Sequence, residues 1–247
     1  MPARKSEPKY LACFSPPVML ATFLIEAGLA IYVGLRYSRG IFRILVCTLL
    51  VCLGSFQLAE YQVCVGSAAG APFWAKVALG GITILPALGM HLIGTVTRKS
   101  AMIPIGYGIA AIYEIIFLLV PRATGLPECS GNYVVIQIGP GWFTNLYAAY
   151  YFIFILLAIG ELTLRLAEPK PAASYGFSKK LIGFSLAGYL SFTVPMAITG
   201  LMSPDLRRAT PSIMCGFALI LAIILAIYVA PLYAAETQAR LKSQMAS

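Results

Sequence analysis

Residues 42–64 are FRILVCTLLVCLGSFQLAEYQVC, an apolar stretch whose only charged side chains are Arg43 at its beginning and Glu60 near its end. A helix needs about 20 mostly apolar residues to cross a bilayer. Six more stretches of this kind lie at 17–36, 73–96, 101–121, 142–164, 181–201 and 210–233. Because unpaired backbone groups are not tolerated in lipid, continuous apolar stretches of this length predict helices rather than strands. We therefore predict an all-α, polytopic membrane protein with a bundle of seven transmembrane helices.

The composition supports the same class. Apolar residues make up 60% of the chain and charged residues 11%, whereas a soluble domain carries about 25% charged residues. The connections between the apolar stretches are short. We therefore predict a single membrane domain over residues 1–247, with the lipid bilayer as its first partner and no soluble catalytic domain.

The net charge of +9 predicts an orientation rather than a nucleic-acid partner. If the N-terminus lies outside, the inner loops and C-terminal tail hold 11 Lys and Arg residues and the outer side holds 7, together the 18 of the chain. Positive residues favour the cytoplasmic side. We therefore expect a bacterial inner-membrane protein with its N-terminus outside and its C-terminus in the cytoplasm. Glu26 lies inside the first stretch and no A-x-A-like site precedes Arg36, so an uncleaved first helix is favoured over a signal peptide.

The six cysteines allow one disulfide across the outer face. In this orientation Cys64 and Cys129 both lie outside, where an oxidising compartment would permit a bridge between them. The alternative is that the cysteines are small apolar residues of the bundle. No C-x-x-C occurs, so a zinc or thioredoxin-type site has no support.

Five ionisable side chains interrupt the apolar stretches. A charged group near the middle of a spanning helix costs about 2.5–3.5 kcal/mol on insertion scales, so each needs a reason. An ion pair with Arg165, four residues later, explains Glu161. The other four are Glu26, Glu60, Glu114 and the only histidine, His91.

These four residues and Asn145 are the candidate ligand-binding residues. Glu26 and Glu114 lie near the middle of their helices with no partner in the local sequence, so they are neutral or face a polar group of another helix. Glu60 lies near the outer end of its helix, with Lys76 as a candidate partner. His91 normally titrates near neutral pH, although a lone histidine also fits a hydrogen-bonded core position. Structural hydrogen bonds between helices remain the alternative for all three glutamates.

Most membrane-enzyme chemistries lack their residues. A retinal Schiff base needs a lysine in the last apolar stretch, bis-histidine haem and zinc hydrolases need more than one histidine, and an intramembrane aspartyl protease needs two aspartates. None of these sets occurs. We therefore predict no enzyme activity, no catalytic residue and no metal site, and the sequence identifies no cofactor.

The connection from Arg122 to Gly141 and two prolines suggest how such a site would be built. The connection is long enough to cap an outer site, or else it lies at the membrane interface. Pro86 and Pro195 lie inside apolar stretches, where proline removes a backbone hydrogen bond and can kink a helix. The tail from Glu236 onward resembles a short amphipathic segment that could dock a partner.

Part of the chain resembles a known module. Glu60 at the end of the second stretch, Trp74 and Pro86 in the third, and the small residues Gly80, Gly81 and Gly89 resemble the seven-helix N-terminal sensor region of bacterial histidine kinases. The resemblance implies a seven-helix bundle with its N-terminus outside that passes a signal inward. No dimerisation helix or kinase domain follows Ser247, so it does not imply kinase activity.

The leading hypothesis is a receptor-like or regulatory module that takes part in signal transduction. It would bind a small or lipidic ligand in its outer half, in the space between the first, second and fourth helices. One alternative is a small-solute or proton-coupled transporter that uses Glu26 and Glu114. The other is an accessory subunit that associates with partner membrane proteins.

Overall fold

A computed structural model of the chain describes residues 15–99, 101–120, 123–129, 134–168, 177–202 and 210–245, without the side chains of residues 200 and 202. The described chain is almost entirely helical, as the apolar stretches predict. Its α-helices are α1 (Pro16–Arg36), α2 (Ile41–Val65), α3 (Ala71–Thr83), α4 (Leu85–Thr97), α5 (Ile103–Leu119), α6 (Gly141–Ala167), α7 (Lys179–Met202), α8 (Thr210–Ile224) and α9 (Ala230–Met245). A π-helical turn, Leu225–Val229, joins α8 to α9.

Six of the described helices are long and apolar enough to cross a membrane, which indicates a membrane protein. They are Pro16–Arg36, Ile41–Val65, Ala71–Thr97, Gly141–Ala167, Lys179–Thr199 and Thr210–Met245. The helix Ile103–Leu119 is apolar but shorter, with 17 residues. Large apolar side chains such as Leu35, 84% exposed, cover the outside of the bundle. An apolar exterior of this extent fits contact with lipid rather than water.

The third apolar stretch is broken at Ile84, two residues before Pro86. Proline has no N–H and its ring clashes with the carbonyl four residues earlier, so a continuous helix is disfavoured there. Pro195 lies inside α7, which remains continuous. Of the two prolines, Pro86 is thus the one at which the helix is interrupted, by a break between α3 and α4.

The helices pack in sequence order at first and then close on themselves. α1 packs against α2, α2 against α3 and α4, and α5 against α3 and α4. α6 packs against α4 and α7, α7 against α8, and α8 also reaches α1 and α2. Small residues permit the close approaches. A Cβ on Gly81 would lie 2.9 Å from the Cys52 carbonyl oxygen, and one on Gly188 would lie 2.8 Å from Leu221.

The two ends of the bundle differ in their chemistry. At one end, a disulfide joins Cys64 of α2 to Cys129, and we call this the disulfide end. Cys129 belongs to a hairpin of residues 123–129 and 134–139, in which β1 (Glu128–Cys129) pairs antiparallel with β2 (Val134–Val135). Residues 121–122 and 130–133 of the predicted capping loop lie outside the described part.

The other end, which we call the basic end, includes the C-terminal ends of α1 and α4. Its positive side chains include Arg39, Arg98, Lys99, Lys179 and Lys180. There the predicted ion pair is present, with Arg165 Nε 2.9 Å from Glu161 Oε1, and Lys99 Nζ lies 2.7 Å from Glu161 Oε2. That the bundle forms one domain over residues 1–247 stays a prediction.

Candidate functional site

Ser212 lies at the centre of the polar contacts at the disulfide end. It is on the first turn of α8, it is 1% exposed, and its hydroxyl is hydrogen-bonded to the Glu60 carboxyl on α2. The same hydroxyl lies 2.9 Å from the Val134 carbonyl oxygen and accepts a hydrogen bond from the Val134 N–H at 3.2 Å. One serine therefore connects α2, α8 and the hairpin. The partner of Glu60 is this serine rather than Lys76.

A closed ring of contacts holds the hairpin above Glu60. Cys64 follows Glu60 by one helical turn and is bonded to Cys129, so the bridge that the sequence left open is present. Cys129 pairs across the hairpin with Val134. Val134 is hydrogen-bonded to Ser212, and Ser212 contacts Glu60, which closes the ring. The hairpin is thus held at two points, one covalent and one hydrogen-bonded.

Glu26 lies deeper in the same interface. It is at the middle of α1, fully buried, and packed against Gly54 of α2, where a Cβ would lie 3.8 Å from Glu26 Oε2. Neither carboxyl oxygen has a hydrogen-bond partner among the described residues. The thiol of Cys215, one turn along α8 from Ser212, is within electrostatic range of both Glu26 and Glu60.

The Gln57 side chain adds a fifth polar group to this interface. It lies between the levels of Gly54 and Glu60 on α2 and is 3% exposed, and its Nε2 has no partner in the described ranges. We refer to Ser212, Glu60, Gln57, Cys215 and Glu26 together as the polar column. It follows the junction of α1, α2 and α8 from the disulfide end to mid-bundle.

Glu114 lies at a different interface. It is on α5, with Oε2 3.5 Å from where a Cβ of Gly80 on α3 would be. α5 packs on α3 and α4, whereas α1 packs on α2 and α8. The sequence predicted a site between the first, second and fourth spanning helices, which are α1, α2 and α5. The helix that lies beside α1 and α2 is α8 and not α5, so the prediction is wrong about the third helix of the site. Glu114 is close enough to the tyrosines of α6 to interact with Tyr147 and Tyr150 electrostatically.

His91 and Asn145 are not part of the polar column either. His91 Nδ1 lies 3.1 Å from the Tyr107 hydroxyl, which joins α4 to α5. Asn145 is exposed on the surface of α6, so the prediction that it lines an internal site with the glutamates is wrong about its position. Its side chain points outward because Phe143 and Tyr147, two residues to either side, occupy the buried face.

Two tyrosines of α6 stabilise the break in the third stretch. The Tyr150 hydroxyl donates to the Thr83 carbonyl at 2.9 Å, and the Tyr147 hydroxyl lies 3.0 Å from Thr83 Oγ1. Thr83 is fully buried. In an apolar surrounding, polar groups at a break between two helices need such partners.

A small cavity lies beside Pro86, between α2, α4, α6, α7 and α8. It measures about 40 Å³ and is lined mainly by apolar side chains, with Tyr151, Tyr189 and Cys215 as its polar members. This volume holds roughly three water molecules. A larger ligand would require the surrounding helices to separate. In the described part of the chain, no three His, Cys, Asp or Glu side chains converge as metal ligands.

Comparison with models of known protein families finds no match for this chain, and comparison with curated proteins finds none. The resemblance to the sensor region of bacterial histidine kinases therefore stays a prediction.

Proposed function

We propose that this chain is a seven-span, receptor-like regulatory module that binds a small or lipidic ligand at the disulfide end and passes the response to the basic end. The observation that carries the proposal is the continuity of α8, the π turn and α9. This single helical rod bears Ser212 at one end and reaches the opposite end of the bundle.

The far end of the rod is also attached to other helices. Tyr233 of α9 is stacked between Phe42 of α2 and Phe177, with ring centroids 3.9 Å and 5.0 Å away. Glu236 of α9 accepts a hydrogen bond from the Ser178 N–H at 2.8 Å, just before α7 begins. A ligand that displaces Ser212 from Glu60 would therefore act on a helix whose other end contacts α2 and the start of α7.

A seventh span and an outside N-terminus belong to this proposal. α5 is entered from α4 at the basic end and is followed by the hairpin at the disulfide end, so its 17 residues run from one end towards the other. At about 1.5 Å per residue they cover about 25 Å, close to the thickness of a bilayer core. The disulfide supports an oxidising compartment at its end, and the positive side chains support the cytoplasm at the other. Both fit a bacterial inner membrane.

Hydrogen–deuterium exchange of the purified protein in nanodiscs tests the coupling. Ser212→Ala should raise exchange in residues 230–245 of α9 as well as near the hairpin, because the rod loses its attachment at the disulfide end. Ser191→Ala is the matched control, since the hydrogen bond of the Ser191 hydroxyl seen among the described residues is to the Gly188 carbonyl of its own helix. If exchange changes only near residue 212, the rod does not transmit the perturbation and the proposal is wrong.

Native mass spectrometry of the same preparation tests ligand binding. A co-purified lipid or small molecule that is lost in Glu60→Gln and retained in Glu114→Gln would place the ligand at the polar column. Solute flux in liposomes that depends on both Glu26 and Glu114 would instead favour a transporter. Isolation with a stable membrane partner would favour an accessory subunit.

A further inference from the structure

The deepest member of the polar column has no assigned role. Glu26 is fully buried, both of its oxygens are unpartnered among the described residues, and it lies at the middle of a 21-residue apolar helix. An unpaired charge is expensive at this depth. The carboxyl packs closely on α2, because a Cβ on Gly54 would lie 3.8 Å from Glu26 Oε2 and 3.4 Å from Phe23. Binding of a proton removes that charge without requiring any other partner.

The surroundings of Glu26 differ on its two sides. Towards the disulfide end lie the Gln57 side chain, the Cys215 thiol, and Glu60 with its partner Ser212, which contacts the hairpin. Gly54 and Glu60 are six residues apart on α2, so the two carboxyl groups differ in depth by about 9 Å. Polar or titratable groups are present at each step between them.

Towards the basic end the same junction is apolar. Val33 of α1 and Val46 and Leu50 of α2 are fully buried, and Leu225 of the π turn is 1% exposed. The titratable group that α2 contributes on this side within the described chain is the Cys47 thiol, which donates to the Ala30 carbonyl at 3.5 Å. A thiol engaged in this way is a poor proton carrier, and Arg43 beyond it is bonded to the Gly34 carbonyl at the end of α1.

We propose that Glu26 is a proton-binding site that exchanges protons with the disulfide end of the bundle, through Glu60 and Ser212, and not with the basic end. Uptake of one proton converts the buried carboxylate to a neutral carboxyl, and release returns the proton by the same path. A site open to one side binds protons without carrying them across. The inference needs neither a ligand at Ser212 nor the proposed orientation, because the two ends are defined by the structure.

Infrared difference spectroscopy in nanodiscs tests the proton site. Between mildly acidic and alkaline buffer, the wild type should lose the carbonyl band of a protonated buried carboxyl. Glu26→Gln should lack this component, and Glu114→Gln should keep it, since Glu114 lies at another interface. Glu26→Asp should shift the component and not abolish it, which separates loss of the carboxyl from loss of the fold. An identical difference spectrum in the wild type and Glu26→Gln would overturn the proposal.

A pH jump applied to one face of sorted liposomes tests the sidedness. The Glu26 component should follow a jump at the disulfide end, and Glu60→Gln should slow it by at least about tenfold, as loss of a relay worth about 1.4 kcal/mol of barrier would. An equally fast response to a jump at the basic end would overturn access from one side. So would steady proton flux into liposomes that is abolished by Glu26→Gln.

Discussion

Substitution of Ser212 by alanine should destabilise this protein far more than the loss of one hydroxyl suggests. The change removes the hydroxyl that contacts the Glu60 carboxyl, the Val134 carbonyl and the Val134 N–H. All of these groups are buried, and alanine offers none of them a replacement. The hairpin would then be held at this point by the disulfide and by apolar contacts.

The size of the effect follows from counting the contacts. Hydrogen bonds between membrane helices contribute about 0.6 kcal/mol on average and up to about 1.7 kcal/mol. Three contacts therefore predict a loss of about 2–5 kcal/mol in the free energy of unfolding. A hydroxyl has one proton, so all three contacts are satisfied together only if Glu60 itself donates to Ser212. Glu60→Gln keeps a donor at this position and should cost less than about 1 kcal/mol.

Equilibrium unfolding in mixed micelles, followed by circular dichroism, measures these differences. Ser191→Ala removes a serine hydroxyl that bonds within its own helix, and it should cost less than about 1 kcal/mol. Equal stability of Ser212→Ala and Ser191→Ala would contradict the role of Ser212 in holding the hairpin. If Glu60→Gln is instead as damaging as Ser212→Ala, then Glu60 accepts from Ser212 as a carboxylate, and the neutral arrangement is wrong.

Three further substitutions test other parts of the structure by the same assay. Gly81→Ala should cost about 1–3 kcal/mol because its Cβ would lie 2.8 Å from Ser55 Oγ, whereas Gly80→Ala next to it should be tolerated. Tyr150→Phe should cost about 1 kcal/mol because the carbonyl at the helix break loses its donor. Tyr151→Phe should cost less, since no hydrogen bond of its hydroxyl is seen in the described chain. Cys64→Ser opens a loop with a sequence separation of 65 residues, and the chain-entropy relation gives an upper limit of about 4 kcal/mol. Equal unfolding of either matched pair, or an unchanged Cys64→Ser, would contradict these expectations.

Much of the helical architecture could be predicted from the sequence. The stretch 17–36 became Pro16–Arg36 and 42–64 became Ile41–Val65, because a helix in lipid begins and ends where the apolar run does. The last stretch, 210–233, continues to Met245. The tail from Glu236 was predicted as a short amphipathic segment, but its continuity with the last span was missed because a polar helix outside the apolar run has no signal in hydropathy. Six of the helices that the structure describes are long enough to span, so the seventh span remains part of the proposal.

The candidate site was predicted only in part. Glutamates without local partners in apolar stretches indicated Glu26 and Glu60 as positions that need a partner or a proton. Both are buried in the structure, and a role for them in ligand binding stays a prediction. The partner itself is a serine 152 residues away in sequence, and serines are too common in membrane helices to stand out. Glu114 was grouped with the wrong helices because depth along a helix does not give the direction a side chain faces. The Cys64–Cys129 bridge was the signal that could have located the hairpin above Glu60.

The junction of α8 and α9 links the two proposals. The Ala230 N–H donates to the Leu225 carbonyl five residues earlier, which is the hydrogen-bond spacing of a π-helix. Pro231 follows immediately and has no N–H to donate. Such π turns are rare and are frequently found at functional sites. The rod is attached to Glu60 above this turn and to Phe42 and Phe177 below it. Both ends of the rod are attached to other helices. A movement caused by a change in the Ser212–Glu60 contact, or in the charge of Glu26, is therefore accommodated most easily at the π turn, where the backbone hydrogen bonds are already irregular. We therefore expect α9 to rotate about the turn and not to slide along its axis.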